Sequence, residues 1–248
     1  MNGRPVIPDE IASIAHVVTD CGQVASSSKR MDLPPLRPAQ GAAICRCTMP
    51  DEVWHINMAR RARDIAGALL LLTLTFPLLL LTALVIKFGS PGPLLYRQVR
   101  VGRNGRLFTM LKLRSMRVDA EASGPCWAAV SDPRVTRVGA FIRAYRIDEL
   151  PQLINVLRGE ISLVGPRPER PHFAAELGKV LVRYAERTCV LPGITGWAQV
   201  KYRYGASVED ARVKLDYDLD YIARRSLLLD LRILAATITV VLFRIGAR

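Results

Sequence analysis

The 248-residue chain has no CxxC pair, three histidines and five scattered cysteines: Cys21, Cys45, Cys47, Cys126 and Cys189. A structural zinc site needs four closely spaced ligands, and a disulfide scaffold needs a regular cysteine framework, so the sequence argues against both. Reduced thiols of an intracellular compartment are the expectation. Aromatics are scarce at 6%, yet apolar residues reach 50%, a mixture that suits a soluble body carrying at least one lipid-facing segment. Acidic residues are in deficit, 22 against 35 Lys and Arg, which leaves a formal charge of +13. Such a field draws nucleic acid, anionic lipid headgroups or phosphorylated metabolites, and charge alone does not choose among them. The basic residues are interspersed with acids and no nucleic-acid motif occurs, so nucleic acid is set aside as a partner. No basic start followed by an apolar run opens the chain, and no cleavable signal peptide is expected.

Residues 1–55 are mixed in composition and punctuated by proline, and read as a disordered tail. The strongest physical signal follows. Residues 65–86 carry no charge, and at about 1.5 Å per residue such a helix just crosses a hydrocarbon core of roughly 30 Å. Two features speak against a simple crossing. Pro77 lies mid-run, where it removes a backbone hydrogen bond and bends a helix. Arginines or lysines flank both ends (Arg60, Arg61 and Arg63; Lys87, Arg97, Arg100 and Arg103), which the positive-inside rule satisfies best if both ends stay cytoplasmic. A helix, break and helix that enters one leaflet and returns, over residues 58–88, fits these facts. A spanning helix and a buried soluble helix are the alternatives.

From residue 89 onward the pattern becomes α/β and rich in helix. Residues 94–101 and 107–113 read as strands joined by a turn containing Asn104 and Gly105. Helices are expected over 135–145, 151–157, 174–187 and 208–223. Residues 192–197 are a glycine-punctuated loop that leads into a strand at 198–200 and could bring backbone N–H groups close to a ligand. Residues 227–243 are apolar but interrupted by Asp230 and Arg232; they read either as a helix lying in the membrane surface or as a core helix.

Asp148-Glu149-Leu150-Pro151 is the most informative tetrapeptide. Proline is favoured in the first turn of a helix, so Pro151 puts a helix start near Asp148, where the positive end of the helix keeps a carboxylate ionised and offers N–H groups to phosphate. An ionised aspartate beside phosphate suits a metal ligand or a nucleophile that forms an acyl phosphate; alone, the pair is also an ordinary helix cap. Arg143 and Arg146 lie upstream. Arg167, between Pro166 and Pro168, would lose little entropy on gripping phosphate. Lys112 and Arg114 fall on one face of a strand, either as an exposed basic face or as an anion site. His172 has no triad partner in the sequence and reads as structural.

Taken together, RQVRVGRNGRLFTMLKLRSM (97–116), SDPRVTRVGAFIRAYRIDELPQLINVLRGEISLVGPRPE (131–169), PGITGWAQV (192–200) and LDYDLDYIARRSLLLDLRIL (215–234), after an apolar run with a central proline, resemble the bacterial monotopic phosphoglycosyl transferases, or polyprenyl-phosphate sugar-phosphate transferases. The resemblance covers residues 58–248 in unbroken order. It implies a compact cytoplasmic α/β catalytic domain (89–248) on a re-entrant, proline-kinked membrane helix, with amphipathic helices at the interface of the bacterial inner membrane. It implies transfer of a sugar 1-phosphate from a UDP-sugar to undecaprenyl phosphate with release of UMP, an early step of exopolysaccharide or other glycoconjugate synthesis that feeds downstream glycosyltransferases. Asp148 would be the nucleophile and a ligand of Mg²⁺, and Glu149 its catalytic partner. Arg143 and Arg167 would contact phosphate, with Lys112 and Arg114 as further candidates, and Pro77 would bend the membrane helix. Phe76 departs from the small polar residue that precedes this proline in some relatives. The sugar and the oligomeric state, homo-oligomers included, are not fixed by the sequence. The rival reading is a non-catalytic, membrane-anchored basic scaffold that binds anionic lipid or nucleic acid and does not need Asp148 and Glu149.

Overall fold

The computed structural model describes residues 53–122, 132–202 and 207–244. The tail expected over residues 1–55 falls almost wholly outside them, as do Cys21, Cys45, Cys47 and Cys126. Helix α1 runs over Val53–Gly89, 37 residues, and so begins five residues before the expected 58. Its Asn57–Gly89 stretch is long and apolar enough to cross a membrane by length and composition. Leu69, Leu70, Leu74, Phe76, Leu80, Leu81, Leu84 and Phe88 are all exposed, the pattern of a helix whose surroundings are apolar rather than aqueous. The expected break at Pro77 does not occur. The helix continues through the proline, although the Thr73 carbonyl loses the N–H that another residue would supply. Thr73, Thr75 and Thr82 donate their hydroxyls to the carbonyls of Leu69, Leu71 and Leu78, an arrangement that keeps polar groups satisfied along an apolar helix and favours bending.

Strands β1 (Leu95–Val101) and β2 (Leu107–Leu113) form the expected antiparallel hairpin, in register from Leu95 opposite Leu113 to Val101 opposite Leu107. Asn104 and Gly105 both take positive φ in the turn, as this dipeptide does readily. Helix α2 (Arg137–Ala144) starts at Thr136, whose hydroxyl accepts from the Gly139 amide. A short turn of 3-10 helix over Ile147–Glu149 then precedes α3 (Gln152–Arg158).

Strand β3 (Ser162–Val164), which the sequence did not suggest, pairs in parallel with β4 (Gly193–Thr195). Their seam explains three glycines. A Cβ on Gly193 would lie 2.1 Å from the Gly165 nitrogen, and one on Gly196 would lie 2.2 Å from the Gly165 oxygen. The glycine-punctuated loop is therefore shaped for backbone-on-backbone packing: its Gly193 amide donates to the Pro166 carbonyl, and its Thr195 carbonyl accepts from the Gly165 amide. The expected strand at 198–200 is instead inside helix α5 (Trp197–Lys201).

Helix α4 (Pro171–Val180) ends seven residues before the expected 187; Arg183 takes positive φ and the chain resumes as a 3-10 segment over Tyr184–Cys189. Helix α6 (Val208–Arg224) opens with a capping box between Ser207 and Asp210, and α7 (Leu227–Leu242) closes the described fold. Cys189 is buried.

The main core joins Ala68 of α1, Leu153 and Val156 of α3, Ile161, Leu163, Val164, Tyr221 and Ile233. A second cluster, Ile86, Leu113, Ile142 and Ile147, packs the C-terminal end of α1 onto the hairpin and α2. Both ends of α1 are thus held by the folded body, while its middle is bare. The arginines before the apolar run are not free flanking charges. Arg60 and Arg63 pair with Asp230 of α7 at 3.0 and 2.5 Å, Arg63 also pairs with Asp64 at 2.7 Å, and Arg61 donates to the carbonyls of Val156 and Leu157 at the end of α3. Asp230 completes its shell with the Tyr221 hydroxyl at 2.8 Å. Helix α7 has two faces: Asp230 and Ile233 are buried against the body, while Leu228, Leu231, Ile238 and Leu242 are exposed.

Candidate active site

The turn over Ile147–Glu149 sets the site. Correcting the expectation of a helix that starts at Asp148, the α-helix begins only at Gln152, and Asp148 sits in the 3-10 turn before it. Asn155 of α3 fixes this segment to the hairpin. Its side-chain amide donates to the Thr109 carbonyl at 2.8 Å and accepts from the Leu111 amide at 3.1 Å. Asn155 is fully buried, so losing it would leave buried backbone groups unpaired at a cost of about 1–3 kcal/mol each. With β2 held in this way, Lys112 reaches Glu149, Nζ to Oε1 at 3.0 Å. Arg167 reaches the same oxygen at 2.5 Å from the turn after β3. Its backbone is stayed by Arg187, which donates to the Arg167 carbonyl at 2.9 Å and pairs with Asp218 at 2.7 Å.

The two neighbouring carboxylates have opposite environments. Burial alone would raise Glu149, but the charges of Arg167, Lys112 and Arg146 and the hydrogen bond from Arg167 outweigh it and hold Glu149 well below the usual carboxylate range. Asp148 accepts no hydrogen bond from any described residue. Burial raises its carboxyl to about 6 despite the nearby Lys112, with the Glu149 charge adding to the rise. Dehydration thus pushes this carboxyl up, and at about 6 it remains ionised in neutral solution. Asp148 is only 6% exposed, and the exposure it has is toward a cavity of about 1070 Å³ whose wall it forms with Glu149, Lys112, Arg143, Arg146 and Arg167.

The structure thus brings Asp148, Glu149, Lys112, Arg143 and Arg167 to one wall. Arg114 touches the same cavity, but its guanidinium donates to the carbonyls of Pro91 and Ser90 and to the Ser90 hydroxyl. It ties down the exit of α1 and is spent on backbone, which removes it from the expected phosphate-binding set. Pro77 lies in the bare middle of α1, apart from the cavity wall. Arg100, Arg170, Arg187, Lys214 and Glu169 also line the cavity; they come from four distant segments, and only tertiary folding reveals them. His172 is exposed and packs its ring on Phe173 at 5.5 Å.

Among the described residues no three His, Cys, Asp or Glu side chains gather to form a metal cage. Magnesium does not need one: it keeps water and substrate phosphate oxygens and takes one or two carboxylates. With Glu149 filled by cations, the unpartnered Asp148 carboxylate fits that role.

The bacterial sugar transferase family matches residues 55–244. The chain belongs to this family. Among its relatives is a UDP-N-acetylgalactosamine-undecaprenyl-phosphate N-acetylgalactosaminephosphotransferase of Aeromonas hydrophila, 46% identical over 76% of this chain and 45% of that protein. A UDP-glucose:undecaprenyl-phosphate glucose-1-phosphate transferase of Caulobacter vibrioides is 45% identical over 74% of this chain and 69% of its own length. The exopolysaccharide production protein PSS of Rhizobium leguminosarum bv. phaseoli is 40% identical over 72% of this chain and 92% of its own length. The chain therefore spans less than half of the Aeromonas transferase and nearly all of the Rhizobium protein.

Proposed function

We propose that this chain transfers a sugar 1-phosphate from a UDP-sugar to undecaprenyl phosphate through a covalent intermediate on Asp148. The observation that carries the reading is the division between the two carboxylates: Glu149 is locked by Lys112 and Arg167, while Asp148 faces the cavity without a hydrogen bond from the described residues. A carboxylate oxygen of Asp148 attacks the β-phosphorus of the UDP-sugar, the bond from that phosphorus to the bridging oxygen breaks, and UMP leaves with the electron pair. The product is an aspartyl phosphosugar. An oxygen of the lipid phosphate then attacks the same phosphorus, the acyl phosphate bond breaks, and the Asp148 carboxylate is restored beside polyprenyl diphosphate sugar. Arg143 and Arg167 meet the charge that builds on the phosphoryl oxygens, which fixed donors stabilise most strongly in a site closed to bulk water. Glu149 acts as the anchor that holds Lys112 and Arg167 in place. Mg²⁺ on Asp148 and the diphosphate would supply charge neutralisation to the leaving group.

The acceptor is confined to a membrane, so the site must be held beside one. Helix α1 serves this purpose: it would enter and leave the cytoplasmic leaflet by bending at Pro77 without a break in its helical backbone, and the exposed apolar row of α7 would rest in the same interface. The fixed depth removes much of the encounter entropy between enzyme and lipid. Cysteines placed at Met58 and at Lys87 should both react with a membrane-impermeant reagent only from the cytoplasmic side; labelling of either from the outer side would establish a crossing instead. For the reaction itself, purified protein is incubated with UDP-sugars, Mg²⁺ and undecaprenyl phosphate and UMP is measured. The reading expects release that a chelator suppresses. A protein that binds anionic vesicles but releases no UMP from any UDP-sugar would favour the scaffold.

A further inference from the structure

Two observations taken together set Arg146 apart among the cations of the cavity. It occupies the residue just past the end of α2 with φ 58° and ψ 18°, the left-handed region. Glycine or asparagine ordinarily fills this place, because a Cβ is disfavoured there. A long charged side chain kept at such a position against its backbone preference points to a use for that side chain. Its backbone is well fixed: the Arg146 amide donates to the Arg143 carbonyl and its own carbonyl accepts from Glu149, both at 3.1 Å.

The second difference is that its donors are unspent. Most of the neighbouring cations are occupied: Lys112 and Arg167 by Glu149, Arg170 by Glu121, Arg187 by Asp218, and Arg100 by Gln98 and the Pro168 carbonyl; Arg97 also makes no side-chain hydrogen bond among the described residues, but it is exposed on β1 and its φ is not positive. The Arg146 guanidinium lines the same cavity but comes no nearer to Glu149 than 3.8 Å, outside hydrogen-bond range. It makes no hydrogen bond among the described residues. Only Ile147 separates it from Asp148, so a short rigid segment sets its distance from the proposed nucleophile.

We propose that Arg146 is a phosphate-contacting residue, whose guanidinium hydrogen-bonds an oxyanion bound beside Asp148. The inference rests on the transfer reading above and adds a group to its machinery. Two sources present the same chemistry, the diphosphate of the nucleotide sugar and the phosphate of the lipid acceptor. Either would find a planar fork of donors, which an arginine offers and a lysine does not.

The test is Arg146→Gly, with Arg146→Lys beside it. Glycine suits the left-handed backbone, so the thermal midpoint of the variant should be equal to or above that of the parent; a purely structural residue would give this result and no other. Equilibrium binding of UDP and of a short-chain polyprenyl phosphate is measured separately for each protein, alongside UMP release. Loss of a hydrogen bond to a charged group predicts roughly 10- to 100-fold weaker binding of one ligand, and the lysine variant should recover only part. Weaker UDP binding assigns the contact to the nucleotide sugar, and weaker lipid-phosphate binding assigns it to the acceptor. Unchanged affinity for both overturns the proposal. A parent protein that binds either ligand through Arg146 yet releases no UMP would retire the transfer reading and leave the contact standing.

Discussion

Two buried carboxylates, Asp230 and Asp148, have opposite fates in this molecule. Asp230, with no exposed surface, takes Arg60, Arg63 and the Tyr221 hydroxyl. It fastens the foot of the apolar helix α1 to α7. Asp148, nearly as well buried, accepts nothing from the described residues and faces a cavity lined with cations. A buried charge with a full set of partners is a joint; a buried charge without them holds its carboxyl near 6 and is available for chemistry. Removing a partner from the first kind of site costs stability, whereas neutralising the second removes a burden on folding.

Two substitutions should separate these roles. Asp148→Asn should lower UMP release by roughly 10³-fold or more while leaving the thermal midpoint equal or higher, since it replaces an unpartnered buried acid by a neutral isostere. Asp230→Asn leaves Arg60 without its carboxylate and Arg63 with Asp64 alone and should cost about 3–5 kcal/mol of stability, read as a lower denaturation midpoint, with the KM values of the surviving folded fraction unchanged. If the two variants exchanged these phenotypes, the comparison would break.

A smaller effect comes from pH. The ionised form of Asp148 attacks, so kcat/KM should fall as pH is lowered through about 6. Stability should run the other way. The folded state holds a proton that the unfolded chain, with its aspartate near 3.8, has already lost, so Asp148 makes the protein less stable as pH rises from about 4 to 6. Asp148→Asn should remove that slope. A slope retained in the variant would mean that another group carries it.

The same contrast shows what the sequence made legible. Both carboxylates are plain in the string, but only Asp148 sits in a recognisable setting, before Pro151 and among motifs that occur in fixed order. Asp230 appeared merely as an interruption of an apolar run, because its partners are 167 and 170 residues away. The β1–β2 hairpin followed from the Asn104-Gly105 turn signal, and helices α2, α3, α6 and α7 lie where helix was expected. The parallel β3–β4 pair escaped, since three-residue strands have no periodicity and their glycines answer to one another across the seam. The break of α4 near Arg183 escaped because nothing local forbids helix there. Lys112 reaches the cavity wall and pairs with Glu149, while Arg114, two residues on, is drawn to backbone carbonyls that only the folded exit of α1 places beside it.

The account stands on Asp148 forming a bond to phosphorus. The direct measurement is the intact mass of the protein after incubation with UDP-glucose, UDP-galactose or their N-acetylated forms and Mg²⁺, without lipid acceptor. It should show the mass of one sugar phosphate added, the adduct should map to a peptide containing Asp148, and undecaprenyl phosphate should discharge it. Multiple turnovers by Asp148→Asn, or an adduct on any other residue, would contradict it.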